Sequence, residues 1–430
     1  MMMRRFLLVV SLFILSVSGH AQETDDEINA LDESIAAIES YVETVRELEA
    51  TAPITVHFPT REAVQTFLAG EFEAFYTDDV VARESAFYQA FGLVPFNYDL
   101  VTELTALYGE QVAGYYDTET EVMNVILSSG EQPEDRLPFL DRVIYAHEYV
   151  HALQDQYFDL DAFYAPVIDG ANADALLARQ ALIEGDATVI MTAYTQAVTE
   201  ANPLGTLLDL GTSLLSISNA TIPADTPRVI EQELTFPYFG GQIFVQALLN
   251  EGGWELVNTA FTDVPPLSTE HILHPETYLA GEIPIAVSLT DQSADLGDSW
   301  SLVRTGVLGE FYMREWLQTQ DAVPDEMILA GTTGWGGDAY HIYQDANGAL
   351  AYELSIVWDD EAEADEFYSD ALLFYGNSVG GFTPVSIYED SATFCWLPAT
   401  RTLCVVRDGA TMTITQAPTR NVALMLLNEE

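Results

Sequence analysis

Apolar side chains at three- and four-residue spacing predict several helices in the first part of the chain. In residues 24–50 they fall at Ile28, Leu31, Ile35, Ile38, Val42 and Val45. This spacing places them on one face of an amphipathic helix. The same reasoning predicts a helix through REAVQTFLAGEFEAF with Thr60 as its N-terminal cap, and others from near Leu140, over 172–198 and over 240–262.

Short β-prone runs predict strands at two places. ITVHF is expected to form one strand, and VAGYYDTETEVMNVIL a hairpin around a polar turn at residues 117–120. After Ser299 such runs dominate, interrupted by an acidic helix at 359–375 and preceded by a connecting helix in LGEFYMREWLQ. We therefore expect an α+β protein, with a mainly helical domain and small sheet over 22–299 and a smaller α+β domain over 300–430.

The first residues have the pattern of a secretory signal peptide. Two arginines precede an apolar run from Phe6 to Val17, and small residues, Gly19 and Ala21, follow. The run is short for a membrane span, so we predict a signal peptide over 1–21 with cleavage after Ala21. No later segment approaches a membrane span. The protein is expected to be exported, to an extracellular or periplasmic location.

Charge is the next unusual feature. The formal net charge is -54, and all 14 basic residues are arginine. Nucleic acids and anionic membrane surfaces are excluded as partners because they would be repelled. A strongly solvated surface suited to a salty exterior is the simplest explanation. Calcium binding is the alternative, at an acidic run that lacks the EF-hand pattern: Asp359, Asp360, Glu361 and Glu363.

Only two cysteines are present, Cys395 and Cys404, in TFCWLPATRTLCVV. Both lie in β-prone runs separated by Pro398, so they can face each other across a hairpin. Export would allow a disulfide between them.

The stretch HEYVHALQDQ carries the strongest chemical pattern. On a helix, His147 and His151 are four residues apart and point their imidazoles at one place, as in helices that bind a metal. A catalytic zinc takes three protein ligands and keeps a position for water. Glu148 would accept the proton of that water during attack on a carbonyl and return it to the leaving amine.

The third ligand has to come from elsewhere. Gln154 and Tyr157 occupy the positions where a longer motif would have glycine and histidine. On the next predicted helix, Glu184 lies in the otherwise apolar stretch ALIEGDA, where a carboxylate is costly unless it is paired or binds a cation. We expect Glu184 to be the third ligand of one zinc ion; pairing with Arg179 is the alternative.

HEYVH followed by EGDA one helix later resembles the gluzincin clan of zinc metallopeptidases. EQVAGYYDTETEVMNV, HEYVHALQDQYFDL and PPLSTEHILHPETYLAGE, in that order, are similar to an uncharacterised bacterial, exported branch of peptidase-MA-like proteins. The resemblance covers residues 55–300, and the region from GWGGDAY onward more loosely. It implies a zincin-like helical domain with a small sheet, and peptide hydrolysis with His147, His151 and Glu184 as zinc ligands and Glu148 as base.

The resemblance also implies supporting residues. Several gluzincins carry an acid one turn after the glutamate ligand, but position 188 is threonine, so Asp186 and Asp155 are the candidates to orient a ligand histidine. An oxyanion donor is expected from STEHILHPETY, with His274 preferred over Tyr278; His271 and His274 alternatively satisfy backbone groups of a helix turn. If the predicted hairpin has a free edge, an extended peptide substrate can add to it.

The resulting hypothesis is an exported zinc-dependent peptidase that acts on peptides or proteins. Two alternatives remain open at this level. One is a non-catalytic binding protein on a metalloprotease scaffold, and the other is a zinc-dependent hydrolase of non-protein amides.

Overall fold

The computed structural model describes residues 8–12, 25–128, 133, 136–169, 172–204, 206, 222–319, 323–380, 385–386, 393–397 and 401–427. The helices are α1 Asp25–Arg46, α2 Arg61–Phe75, α3 Asp78–Ala90, α4 Leu100–Gln111, α5 Phe139–Phe158, α6 Leu160–Asp169, α7 Ala173–Ala201, α8 Arg228–Thr262, α9 Thr269–Leu273, α10 Pro275–Ala280, α11 Ser293–Leu296, α12 Gly309–Gln318, α13 Asp325–Thr332, α14 Glu361–Glu366, α15 Leu373–Gly380 and α16 Arg420–Leu426. A π-helical turn, Phe367–Leu372, joins α14 to α15.

The strands are β1 Leu8–Leu12, β2 Thr55–His57, β3 Val112–Asp117, β4 Val122–Val125, β5 Trp300–Gly306, β6 Trp335–Asp345, β7 Leu350–Trp358, β8 Val385–Ser386, β9 Thr393–Trp396, β10 Thr402–Asp408 and β11 Thr411–Ala417. The fold is therefore α+β.

The predicted cleavage site after Ala21 lies outside the described residues. Within the described part of the chain, no helix has the length and apolar character needed to cross a membrane.

A small four-stranded sheet lies against α5. Its order is β1-β3-β4-β2, with β2 parallel to β4 and the other pairs antiparallel. Apolar residues of β3 and β4 pack with the apolar face of α5 and with α1 in one core. The sheet therefore holds the helix that carries HEYVH from one side.

A seven-stranded sheet forms most of the C-terminal region. Its order is β5-β6-β7-β11-β10-β9-β8, and neighbouring strands are antiparallel throughout. Its first strand begins at Trp300, where the sequence pattern predicts a boundary. The two regions nevertheless share one aromatic core, because Phe91 stacks on Tyr352 of β7 with ring centroids 4.6 Å apart.

Most predicted helices are confirmed, and two differ from the prediction. The helix expected over 240–262 begins at Arg228 and contains Pro237, a residue that normally argues against a helix interior. The backbone leaves helical geometry at Gly253, where φ is +64°. The acidic helix expected over 359–375 is divided by the π-helical turn.

Helices α7 and α8 cross at unusually close range. A Cβ atom built on Gly241 would collide with the carbonyl oxygen of Ala181, and one built on Gly185 would collide with the backbone of Gly241. Two glycines therefore let the backbones touch. Because Gly185 directly follows Glu184, the crossing also fixes the helix segment that carries this carboxylate.

The crossing yields a stability prediction. Gly241→Ala must push α7 and α8 apart, so we expect it to lower the free energy of unfolding by about 1–3 kcal/mol. Gly70→Ala in α2 is the control, because nothing lies within 4 Å of its Cβ position. That change should stabilise the protein by about 0.5–1 kcal/mol through helix propensity. Urea unfolding of both variants measures the difference, and equal effects would contradict the tight crossing.

Candidate metal centre

The structure brings His147, His151 and Glu184 together. Both histidines lie on the same face of α5, and Glu184 approaches from α7, which packs across it. All three side chains are buried. One donor atom from each lies within 4.8 Å of the other two, so the three residues could hold a metal ion.

The spacing of the donor atoms suits tetrahedral coordination. The Oε2 atom of Glu184 is 3.1 Å from Nε2 of His147 and 3.6 Å from Nε2 of His151. Ligands about 2.0–2.2 Å from a tetrahedral centre lie roughly 3.3–3.6 Å from one another. Within the described part of the chain, Nε2 of His151 and Oε1 of Glu184 are buried without a hydrogen-bond partner. A cation between these atoms would satisfy both.

The electrostatics of the cluster favour a charged carboxylate. Burial alone would raise the pKa of Glu184, but the two histidines outweigh burial and lower it. Burial lowers the pKa of His147. For His151, burial also acts to lower the pKa, yet the nearby Glu184 and Glu148 carboxylates raise it overall. The expected alternative partner, Arg179, instead donates to the carbonyl of Phe163.

Gln154 orients one of the histidines, a role that sequence reasoning did not assign. Its Oε1 atom lies 2.9 Å from Nδ1 of His151, and its Nε2 donates to the carbonyl of Ile183 and to Asp186. Because Oε1 can only accept, Nδ1 of His151 must carry the proton. When the ring is neutral, the lone pair is on Nε2, the atom that could bind a metal.

The two candidate orienting acids have different positions. Asp186 touches no ligand directly; it accepts from Gln154 and forms a buried ion pair with Arg46 at 2.8 Å. Asp155 accepts hydrogen bonds from the hydroxyl of Tyr116 and the backbone of Leu160. Asp186 therefore acts on His151 through Gln154, whereas Asp155 ties α5 to β3.

Glu148 lies beneath strand β3. The residue is fully buried, and a Cβ atom on Gly114 would come within 2.5 Å of its Oε1. Glycine at position 114 is therefore what allows the strand to pass over the carboxylate. One edge of β3 pairs with β4, and the other edge pairs with β1, where Ser11 is opposite Gly114. The predicted free edge of the hairpin is thus occupied in this structure by residues 8–12.

The candidates for oxyanion donor bond to other groups. Nε2 of His274 lies 3.1 Å from Glu310, and the hydroxyl of Tyr278 donates to the carbonyl of Val264 at 2.7 Å. His271 accepts from the backbone N–H of Leu267 and lies 3.2 Å from the carbonyl of Glu282. No hydrogen bond or ion pair among the described residues joins these three side chains to the metal cluster.

Tyr238 of α8 lies beside the cluster instead. Its ring stacks on that of His147, with centroids 6.0 Å apart. Sequence reasoning missed this residue, because the predicted helix began only at residue 240. The close crossing of α7 and α8 is what brings this part of α8 to the site.

The two cysteines form a disulfide in the C-terminal sheet. Cys395 of β9 pairs directly with Cys404 of β10 in the strand register, with Cα atoms 4.1 Å apart. Both residues are buried in a small core that includes α16. The bridge joins β9 to β10 covalently, and neither cysteine belongs to the metal cluster.

Comparisons with known proteins cover only the C-terminal region. A family model described as "Domain of unknown function (DUF8575)" matches residues 301–425. No curated protein and no solved structure matches the chain. The matched segment begins at β5 and includes the seven-stranded sheet, so it contains none of the residues of the metal cluster.

The buried ion pair between Arg46 and Asp186, which holds Gln154, can be tested by substitution. Arg46→Met would leave Asp186 charged and buried, so we expect a loss of about 3–5 kcal/mol in the free energy of unfolding. Asp365→Asn is the control, because this acid pairs with Arg407 but is 70% exposed. Its effect should stay below about 1 kcal/mol. Urea unfolding at neutral pH compares them, and a loss in Arg46→Met no larger than in the control would refute the network.

Proposed function

We propose that the protein is a zinc-dependent peptidase whose metal is held by His147, His151 and Glu184. The observation that carries the proposal is the convergence of two imidazole nitrogens and one carboxylate oxygen within 4.8 Å in a buried place. Two nitrogen ligands and one oxygen ligand form one of the donor sets of catalytic zinc. Structural zinc sites use closed sets rich in cysteine, and both cysteines are engaged elsewhere.

The residues around the ligands have separate tasks in this proposal. Zinc, when bound, supplies Lewis acidity toward a water and toward the carbonyl of the substrate. Glu148 accepts a proton from the attacking water and passes it to the leaving amine. Gln154 holds His151 in the tautomer that leaves Nε2 available. Arg46 and Asp186 in turn keep Gln154 in place.

Strand β3 is our candidate for the surface that positions an extended substrate. It passes over Glu148 at Gly114, so a peptide paired with β3 would run beside the proposed base. In this structure β1 takes that place. Removal of residues 1–21, expected from the signal-peptide pattern, would leave the edge open for main-chain hydrogen bonds. Under this proposal export and activation of the enzyme are the same event.

The ligand assignment is tested by metal content. We expect about one zinc per chain in the purified mature protein, and loss of zinc in His151→Ala and Glu184→Ala. Glu251→Gln, at an exposed position of α8, is the control and should retain the metal. Elemental mass spectrometry after reconstitution and desalting gives the ratio. Absence of zinc from the wild-type protein would rule out the proposed site.

The catalytic assignment is tested separately. Glu148→Gln removes the proton acceptor but no metal ligand, so it should retain zinc and lose hydrolysis by a factor on the order of 10²–10⁴. Cleavage of a broad library of fluorogenic peptides measures the activity, with Glu251→Gln again as control. Undiminished cleavage by Glu148→Gln would refute the role of this residue. Zinc binding without any cleavage by the wild type would favour a binding protein on the same scaffold.

A further inference from the structure

A second group of acidic side chains lies where the helical region meets the seven-stranded sheet. Glu270 belongs to α9, Glu282 follows the left-handed Gly281 that ends α10, and Asp359 directly follows β7. One carboxylate oxygen from each lies within 4.8 Å of the other two. The cluster shares no residue with the candidate zinc site.

Glu270 is the member that requires an explanation. Only 2% of its surface is exposed. In the described part of the chain its carboxylate takes part in no hydrogen bond or ion pair, and the strongest charge effects on it come from acids: Glu310, Glu282, Asp359 and Asp174. Burial and these neighbours together raise the pKa of Glu270 to about 9. A buried carboxyl group beside other carboxylates must either stay uncharged or have a cation that joins them.

Backbone hydrogen bonds fix two of the three carriers, the segments of Glu282 and Asp359, relative to each other. The N–H of Asp359 donates to the carbonyl of Gly334 at 2.9 Å. Ile285, just beyond Glu282, donates to the carbonyl of Gly336 at 2.6 Å. The segment after α10 is therefore attached to the start of β6, next to the end of β7. These bonds hold Glu282 and Asp359 close together.

We propose that Glu270, Glu282 and Asp359 bind one calcium ion, which clamps the α9–α10 segment to the end of β7. The donor set contains only carboxylate oxygens, the ligands of hard cations. Oxygens about 2.3–2.6 Å from one calcium ion can lie up to roughly 4.6–5.2 Å apart, which covers the observed spacing. Glu282 is half-buried and Asp359 is exposed, so water can reach the site and complete the coordination.

The acidic run that suggested calcium in the sequence contributes a single ligand. Only Asp359 turns toward the cluster, whereas Asp360 caps α14 by accepting from the N–H groups of Ala362 and Glu363. The other two ligands are distant in sequence and come from a different region of the chain. The site therefore depends on the tertiary fold and is not a local calcium-binding loop.

The test is a calcium titration of the zinc-loaded mature protein. Isothermal calorimetry in calcium-free buffer with 150 mM NaCl, as CaCl₂ is added, should give one site per chain, and the thermal midpoint should rise with calcium and then saturate. Glu270→Gln and Asp359→Asn should weaken this binding at least tenfold. Glu276→Gln is the matched control, because it lies between the two glutamates, its side chain is 77% exposed and it is outside the cluster.

A second readout separates a calcium site from a purely structural role. Without calcium, Glu270→Gln should unfold close to the wild-type temperature at neutral pH, because a Glu270 carboxyl whose pKa is raised to about 9 is already uncharged there. It should also lose the calcium-dependent rise of the midpoint. Absence of calcium binding by the wild type would overturn the proposal, because Glu270 would then be an uncharged buried acid. Binding that is unchanged in both Glu270→Gln and Asp359→Asn would overturn it as well, since the ion would be elsewhere on the acidic surface.

Discussion

The carboxylate of Glu184 in a dry interior is the constraint on which the helical region depends. It lies between Ile183 and the Gly185 crossing and is fully buried, so its charge is stable only against positive or polar partners. The two histidines of α5 meet that need on one side. Two residues further along α7, the buried Asp186 also needs polar partners, and Arg46 and Gln154 provide them. One continuous polar network thus joins α1, α5 and α7.

This network also explains why the surrounding backbone comes so close. Glu148 and the ligands occupy the space between α5, β3 and α7, and glycine stands at the tightest approaches: Gly114 over Glu148, and Gly185 against Gly241. A side chain at any of these positions would separate two elements. The glycines are therefore part of the site, since they set the distance between the helices and the strand that form it.

The sequence predicted the local elements well and the long-range ones poorly. Helix periodicity located α2 and α7, with Thr60 predicted as the cap of α2, and the spacing of His147 and His151 placed both on one face. Glu184 stood out because it is an acid in an apolar helix. These signals are local, so a single sequence contains them.

What could not be predicted depends on contacts between distant segments. In the sequence Gln154 is only a departure from a longer motif, yet in the structure it joins His151 to Asp186. The first turns of α8 contain Pro237 and were not predicted, so Tyr238 beside His147 was missed as well. His274 was expected near the metal by resemblance, but a buried acid on α12, Glu310, is its partner. In each case the deciding neighbour is more than twenty-five residues away.

The use of arginine connects the two proposed metal sites. With 14 basic residues against 68 acidic ones, few internal cations are available, and the chain uses arginine for them. Arg46 and Arg314 pair with the buried acids Asp186 and Glu310, a role that suits a guanidinium because it makes several directed hydrogen bonds and keeps its charge when buried. Glu184 and Glu270 are buried acids with no arginine partner among the described residues. Under the two proposals, metal ions would supply the positive charge that these two clusters lack.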